Sequence, residues 1–249
     1  MKESLLKILE SKIKGEVHNE KHFKKFYSVD SSSYQIIPQI IVIPINEEDV
    51  IKTIKIAKKY GTSVTVRGAG TGLVGSALNY GIIIDMKKIN SIRINKKSAI
   101  VGSGVLKGKL DIELQKKGKF FPPNPSIGNF CSLGGMLGNN SSGSRSIKYG
   151  STIDNVKEIT FIDGNGKKIT LPKNKQVSKK IFQNIKIDND NIPKTSKNSS
   201  GYQIKKITSE KNTHKIIIGS EGTLGIIISA KINILDIPKK RILSIIEYK

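Results

Sequence analysis

Apolar residues recur at helical spacing from Glu47 to Tyr60, where Val50, Ile51, Ile54, Ala57 and Tyr60 share one face. Elsewhere the pattern is one of short isoleucine-rich runs, at 36–45, 81–84, 216–218 and 226–228, which predict buried strands. Val64 to Val66 adds a further β-branched strand. From Tyr34 to Asp85 the order is therefore strand, helix, strand, glycine-rich loop, strand, a small α/β unit. Short strands dominate from Ile92 to Ile169, interrupted by one helix over Leu106 to Lys117. Asp163-Gly164 and Asn165-Gly166 are strong turn signals, so Val156 to Ile162 and Lys168 to Leu171 form a hairpin. Residues 1–30 read as one or two surface helices, with Lys2 to Val17 a mixed-charge amphipathic one. Pro172 to Ser200 reads as a helix followed by a mobile loop. Ile242 to Tyr248 starts another element, as though a further domain should follow.

Three segments break this pattern with glycine. The first, Ser132 to Gly150, carries no charged side chain from Ser132 to Ser144, in a chain where 25% of residues are charged. Gly134, Gly135, Gly138 and Gly143 stand there among Ser132, Asn139, Asn140, Ser141, Ser142 and Ser144. Glycine permits close backbone approach, and short hydroxyls and amides donate without adding charge. The segment suits a large polar ligand.

The second, Val64 to Ser76, is a strand feeding Gly68, Gly70, Gly72 and Gly75, which presents backbone N–H groups as a phosphate cradle does. Arg67 at its entrance adds a charge. Gly70, Gly72 and Gly75 satisfy G-x-G-x-x-G, but a Rossmann fingerprint needs a helix there and an acid about 20 residues on. The next strand begins near Gly81, which leaves no room for that helix. A phosphate loop of another fold is expected.

In the third, two β-branched strands flank Gly219 to Gly225, the pattern of a hairpin. Glu221, alone between glycines and apolar strands, reads as a partly buried carboxylate that needs donors. Those donors are either N–H groups of its own turn or groups on a ligand.

Composition narrows the rest. The formal charge of +23 would suit nucleic-acid binding. Lysines are nevertheless scattered along the chain, arginine occurs only at 67, 93, 145 and 241, and no basic helix interleaves with aromatics. No nucleic-acid partner is expected, while attraction to an anionic membrane surface stays open. Cys131 is the only cysteine, so no internal disulfide forms and a reducing, cytoplasmic setting is implied. His18, His22 and His214 form no metal-ligand set. The longest uncharged apolar run, Ile36 to Ile45, holds two prolines and is far too short to span a bilayer.

Together the three segments carry a resemblance. Val66 to Gly75, Phe120 to Pro125, Gly134 to Gly150 and Gly219 to Gly225 occur in the order found in the FAD-binding domain of the vanillyl-alcohol oxidase and p-cresol methylhydroxylase family. The stretch from Pro38 to Leu235 resembles its D-lactate and glycolate oxidase branch, as does Tyr27 to Tyr34. The resemblance implies an α+β fold in two lobes, one small, parallel and α/β, the other a larger antiparallel sheet with helices, and FAD between them. It implies a helical segment at 1–33, the FAD domain at 34–235 (lobes at about 34–90 and 91–235), and the start of a cap domain at 236–249.

Mapped onto this chain, Arg67, Gly68, Ala69, Gly70, Thr71, Gly72, Gly75 and Ser76 would wrap the pyrophosphate. Pro123 within Pro122 to Ser126, with Ser132, Gly134 and Gly135, would line the isoalloxazine. Asn139, Ser142 and Gly143 would continue along the cofactor, and Glu221, Gly222 and Ile226 would close over it. Thr71 stands where some relatives attach flavin through histidine, so noncovalent FAD is implied. Cys131 reads as a core or lining residue. Arg145 is either a clamp for a substrate carboxylate or a surface or phosphate-side arginine. The implied activity is oxidation of a D-2-hydroxyacid (D-lactate, glycolate or D-2-hydroxyglutarate) by hydride transfer to flavin, with a cap-domain or iron–sulfur partner and peripheral attachment to the inner membrane face. The alternative is a non-catalytic FAD-binding or assembly subunit of a split dehydrogenase.

Overall fold

The computed structural model describes residues 4–185, 195, 198, 199, 201–240 and 242–248. The chain opens with α1 (Leu5–Lys12), β1 (Glu16–His18) and α2 (Lys21–Tyr27), followed by β2 (Ile40–Ile43), α3 (Glu47–Tyr60), β3 (Val64–Arg67) and β4 (Ile82–Asp85). The predicted helix over Lys2 to Val17 thus stops at Lys12, because Val17 pairs with Val42 in an antiparallel ladder. β2, β4 and β3 are parallel, giving a four-stranded sheet in the order β1-β2-β4-β3. α3 begins where the Asn46 side chain accepts from the Asp49 N–H, and ends at Gly61 with φ 64°. Asp49 is fully buried and accepts the N–H groups of Lys14, Gly15 and Ile45 at 2.9–3.1 Å. That contact ties the N-terminal segment to the small sheet.

The second sheet is built from β5 (Ile92–Ile94), β6 (Ser98–Gly102), β8 (Val156–Ile162), β9 (Lys168–Leu171) and β10 (Ile226–Asn233), all antiparallel, in the order β5-β6-β10-β8-β9. A short β7 (Lys119–Phe120) pairs with β11 (Leu235–Asp236). α4 (Lys107–Gln115), α5 (Leu133–Gly138), α6 (Ser146–Tyr149) and α7 (Lys175–Asn184) complete the regular elements. The hairpin of β8 and β9 and the helices over 47–60 and 107–115 lie where the apolar pattern puts them.

The 216–218 run is not a strand. Glu210–Ile216 is a 3-10 helix opened by a capping box between Ser209 and Asn212, and Ile217 and Ile218 bury themselves in the core from the turn that follows. Burial, not strand pairing, accounts for the β-branched residues there. Residues 242–248 have no helix or strand, and the loop reading over 186–194, 196, 197 and 200 lies outside the described residues.

β10 joins the two halves. Ile226 and Ile228 pack into the core of the small sheet with Val42, Ile54 and Ile84, whereas Ile227, Ala230 and Ile232 belong to the core of the large one. A register shift against β8 between Ile227 and Ser229 lets one strand change face. The expected pair of lobes, one mainly parallel and one antiparallel, is the observed architecture.

Candidate functional site: a cleft between the two sheets

The C-terminal end of β3 leads into the glycine loop, which returns to β4 without a helix. Facing it from the large lobe are α5, the end of β6, the start of β10 and the turn at Glu221. The cleft between them holds about 980 Å³ of empty space, counting the part open to solvent.

From the small lobe Gly68, Ala69, Gly70, Thr71, Gly72 and Ser76 line it; from the large lobe Ser132, Gly134, Gly135, Asn139, Glu221 and Gly222 do. These twelve expected residues come together. Six others do not line this cleft. Arg67 is buried beneath the loop, its guanidinium donating to the Val29 carbonyl at 2.8 Å and lying 5.3 Å from the Tyr27 ring centre. Burial draws its pKa down, opposed by Asp85, Tyr27 and Asp30. Its guanidinium packs against Gly70 and supports the loop from below. Gly75 has φ 74° and packs on Tyr34. Pro123 is buried, and Pro125 and Ile127 line the cleft instead. Ser142 and Gly143 line an adjoining groove with Asn124 and Ser144, which Asn139 shares. Ile226 faces the small core, so its neighbour Ile227 supplies the cleft wall.

One expectation about a side chain is corrected. Glu221 is exposed, not partly buried, and its backbone sits at φ 50° with its N–H donating to the Gly138 carbonyl at 3.0 Å. The turn, more than the carboxylate, is what this position contributes. Arg145 lies over the Phe120 ring at 5.4 Å and lines none of the described cavities next to the glycine loop. It reads as a packing arginine.

The backbone donors divide sharply. All four N-terminal amides of α5 are occupied: Leu133 donates to Val105, Gly134 to Ser103, Gly135 to the Ser132 hydroxyl and Met136 to Ser132. By contrast, among the described residues no acceptor meets any backbone N–H from Ala69 to Ala77. Open amides in a glycine loop form an anion cradle. A Cβ added to Gly222 would meet nothing within 4 Å, and one on Gly138 would reach only the Glu221 Cα, so glycine keeps this space clear. Ser103 is 2% exposed, borders the cleft and has no partner for its hydroxyl. Sequence reasoning missed Ser103, although its place between Gly102 and Gly104 was a signal of the same kind as the loops. Val66, Met86, Met136 and Ile227 supply apolar wall. Burial pushes the Cys131 thiol up, which keeps it protonated, and Sγ lies 3.6 Å from the Gly128 carbonyl. Among the described residues no three His, Cys, Asp or Glu side chains form a metal-binding group, and no helix is long and apolar enough to cross a membrane.

The profile of the FAD binding domain matches residues 38–172, more than half of the chain and most of the cleft. The chain belongs to the FAD-binding domain family. Relatives agree. D-2-hydroxyglutarate dehydrogenase of Escherichia coli is 32% identical over 251 residues, covering 89% of this chain and 25% of that protein. D-lactate dehydrogenase of Anaerostipes hadrus is 32% identical over 217 residues, covering 85% of this chain and 39% of the other. The chain thus spans between a quarter and two fifths of these two relatives. The fold matches alkyldihydroxyacetonephosphate synthase with a TM-score of 0.73 at 22% identity, over 95% of this chain and 41% of that one. FAD is the cofactor of this FAD-binding domain, and a cleft with a free-amide loop, glycine-cleared walls and an unpaired hydroxyl fits it.

Proposed function

We propose that this chain is the FAD-binding part of an FAD-linked oxidoreductase acting on a D-2-hydroxyacid, with D-2-hydroxyglutarate, D-lactate or glycolate as the substrate class. The observation that carries the reading is the run of unpartnered amides from Ala69 to Ala77 beside the cleft between the two lobes. The names of the similar dehydrogenases supply the substrate class. When bound, FAD supplies the redox chemistry by accepting a hydride. The chain's own part is to bind and orient. Amides of the glycine loop neutralise diphosphate charge, Asn139 and Ser141 offer neutral donors and acceptors, and Met136, Ile127 and Ile227 exclude water from the flat parts of the ligand.

The flavin is held without a covalent bond, since no His or Cys stands in the glycine loop. A cap-domain or iron–sulfur partner completes the site, because among the described residues no lysine, arginine or histidine lines the cleft to take a carboxylate. Peripheral attachment to the inner membrane face draws on the charge of +23. The test is anaerobic bleaching of the FAD-loaded chain by each hydroxyacid over hours. Slow bleaching that prefers D over L supports the dehydrogenase, and none with any acid favours the assembly-subunit alternative.

A further inference from the structure

The segment Val29–Tyr34 runs across the outer side of the glycine loop and touches it at three points. Its first residue accepts from Arg67 Nη1 at 2.8 Å. In the middle, Ser31 donates both its N–H (3.0 Å) and its hydroxyl (3.2 Å) to the Gly70 carbonyl. At the end, the Tyr34 ring lies where a Cβ on Gly75 would come within 3.0 Å of it. The segment is stiffened by its own bonds: Ser32 N–H to Asp30 Oδ1 at 2.8 Å, Tyr34 N–H to Ser32 Oγ at 3.2 Å, and a bridge between Val29 and Gln35. Among the described residues, the hydrogen bonds that reach Ala69–Ala77 from outside it are the two from Ser31 and the local bond from the Leu78 N–H to the Gly75 carbonyl.

A trans peptide is planar, with its C=O and N–H pointing in opposite directions. Holding the Gly70 carbonyl outward therefore turns the Thr71 N–H inward, to the cleft that Thr71 lines. We propose that Ser31 is a positioning residue for the cofactor: its hydroxyl, added to the Ser31 N–H bond that any residue there would keep, fixes the Gly70–Thr71 peptide so that the Thr71 amide meets the diphosphate of FAD. The inference rests on the FAD reading of the cleft. A loop without this restraint has to be ordered by the ligand, and that ordering cost lowers affinity.

The test compares wild type, Ser31→Ala and Ser31→Thr for the equilibrium binding of FAD and of ADP, and for the rate of FAD release. Ser31 is exposed, so the alanine variant should fold, and an unchanged urea midpoint of the FAD-free protein checks this. Ser31→Ala should weaken both ligands by roughly 5-fold, the scale of one hydrogen bond, and speed FAD release in proportion. Ser31→Thr, which keeps the hydroxyl, should restore wild-type values. The Thr71 amide resonance should shift on ADP binding in the wild type. Unchanged affinity and release in Ser31→Ala, or equal losses in the alanine and threonine variants, would overturn the role of Ser31 while leaving the FAD reading intact. A wild-type chain that binds neither FAD nor ADP would overturn both.

Discussion

Gly68 and Ser132 lie so close that a Cβ on Gly68 would collide with the Ser132 hydroxyl, the same atom that caps α5 by accepting from the Gly135 N–H at 3.1 Å. The start of the glycine loop and the start of the facing helix are thereby locked together across the two lobes. Gly68→Ala should destabilise the chain by on the order of 1–3 kcal/mol, the usual cost of forcing a methyl into a packed site. Ser132→Gly alone should cost only a few tenths of a kcal/mol, because glycine is a tolerated N-cap. The double variant should recover most of the loss of Gly68→Ala. Urea unfolding of all four proteins measures that coupling, and purely additive losses would count against it.

Much of this arrangement was legible in the sequence. Glycine where a backbone must approach closely, and the absence of charge from Ser132 to Ser144, marked both walls of the cleft. What the sequence left open were facts of orientation. A β-branched pair such as Ile226 and Ile227 looks alike in sequence, yet alternation along β10 sends one to the core and the other to the cleft. Arg67 looked like a phosphate ligand because charge and position matched, but its side chain turns back to Val29 and Tyr27. The run 216–218 misled because β-branched residues serve a buried turn as well as a strand.

Gly72 is the position at which cofactor binding and folding should separate. It has no positive φ, so the steric case for glycine rests on cleft space alone; a Cβ there meets Ser76 Oγ at 3.4 Å and Asn139 Nδ2 at 3.8 Å, ordinary contacts. Gly72→Val should therefore fold with near wild-type stability and bind FAD weaker by orders of magnitude. Gly70→Val, at φ 69° and against the Arg67 guanidinium, should lose stability as well. Flavin content and thermal midpoints of the two variants check the contrast, and wild-type FAD affinity in Gly72→Val would place the diphosphate elsewhere.

His214 should set a stability step in mild acid. Its Nε2 lies 3.0 Å from the Val156 carbonyl, Nδ1 has no partner, and burial holds its pKa at about 4 against an ordinary 6.5. Above pH 6.5 the ring is neutral in the folded and unfolded chains, and its contribution is fully present. As pH falls towards 4 the unfolded chain takes the proton first, so stability drops by on the order of 3 kcal/mol. Below about 4 both states are protonated and no further loss comes from this residue. The difference in unfolding free energy between wild type and His214→Gln, followed from pH 7 to 4, should trace this step; a flat difference would show that His214 titrates normally.

Bound flavin should leave the protein on acid precipitation. No histidine or cysteine lies between Gly68 and Ala77, and the Cys131 thiol, raised by burial, is a poor nucleophile where it borders the cleft. All flavin absorbance is expected in the supernatant after trichloroacetic acid treatment. Colour retained in the washed pellet, and lost in Cys131→Ala, would reveal a covalent bond to that residue.

Turnover by these 249 residues alone should be slow. Oxidising a hydroxyacid needs a base within hydrogen-bond reach of the hydroxyl and a cation for the carboxylate, and fixing the geometry of such a pair is worth ~7–11 kcal/mol. Among the described residues that line the cleft, the only carboxylate is the exposed Glu221, the only thiol is the protonated Cys131, and there is no cationic side chain. Arg145 lies over Phe120, and His214 is buried against Val156. A substrate anion would enter the cleft with no cationic side chain among the described lining residues to hold its charge. Stopped-flow mixing of the FAD-loaded chain with D-2-hydroxyglutarate or D-lactate, without oxygen, should show bleaching much slower than once per second. Bleaching at many per second would mean that a base and a clamp are already present, and the missing groups would then have to be sought among the residues around the cleft mouth.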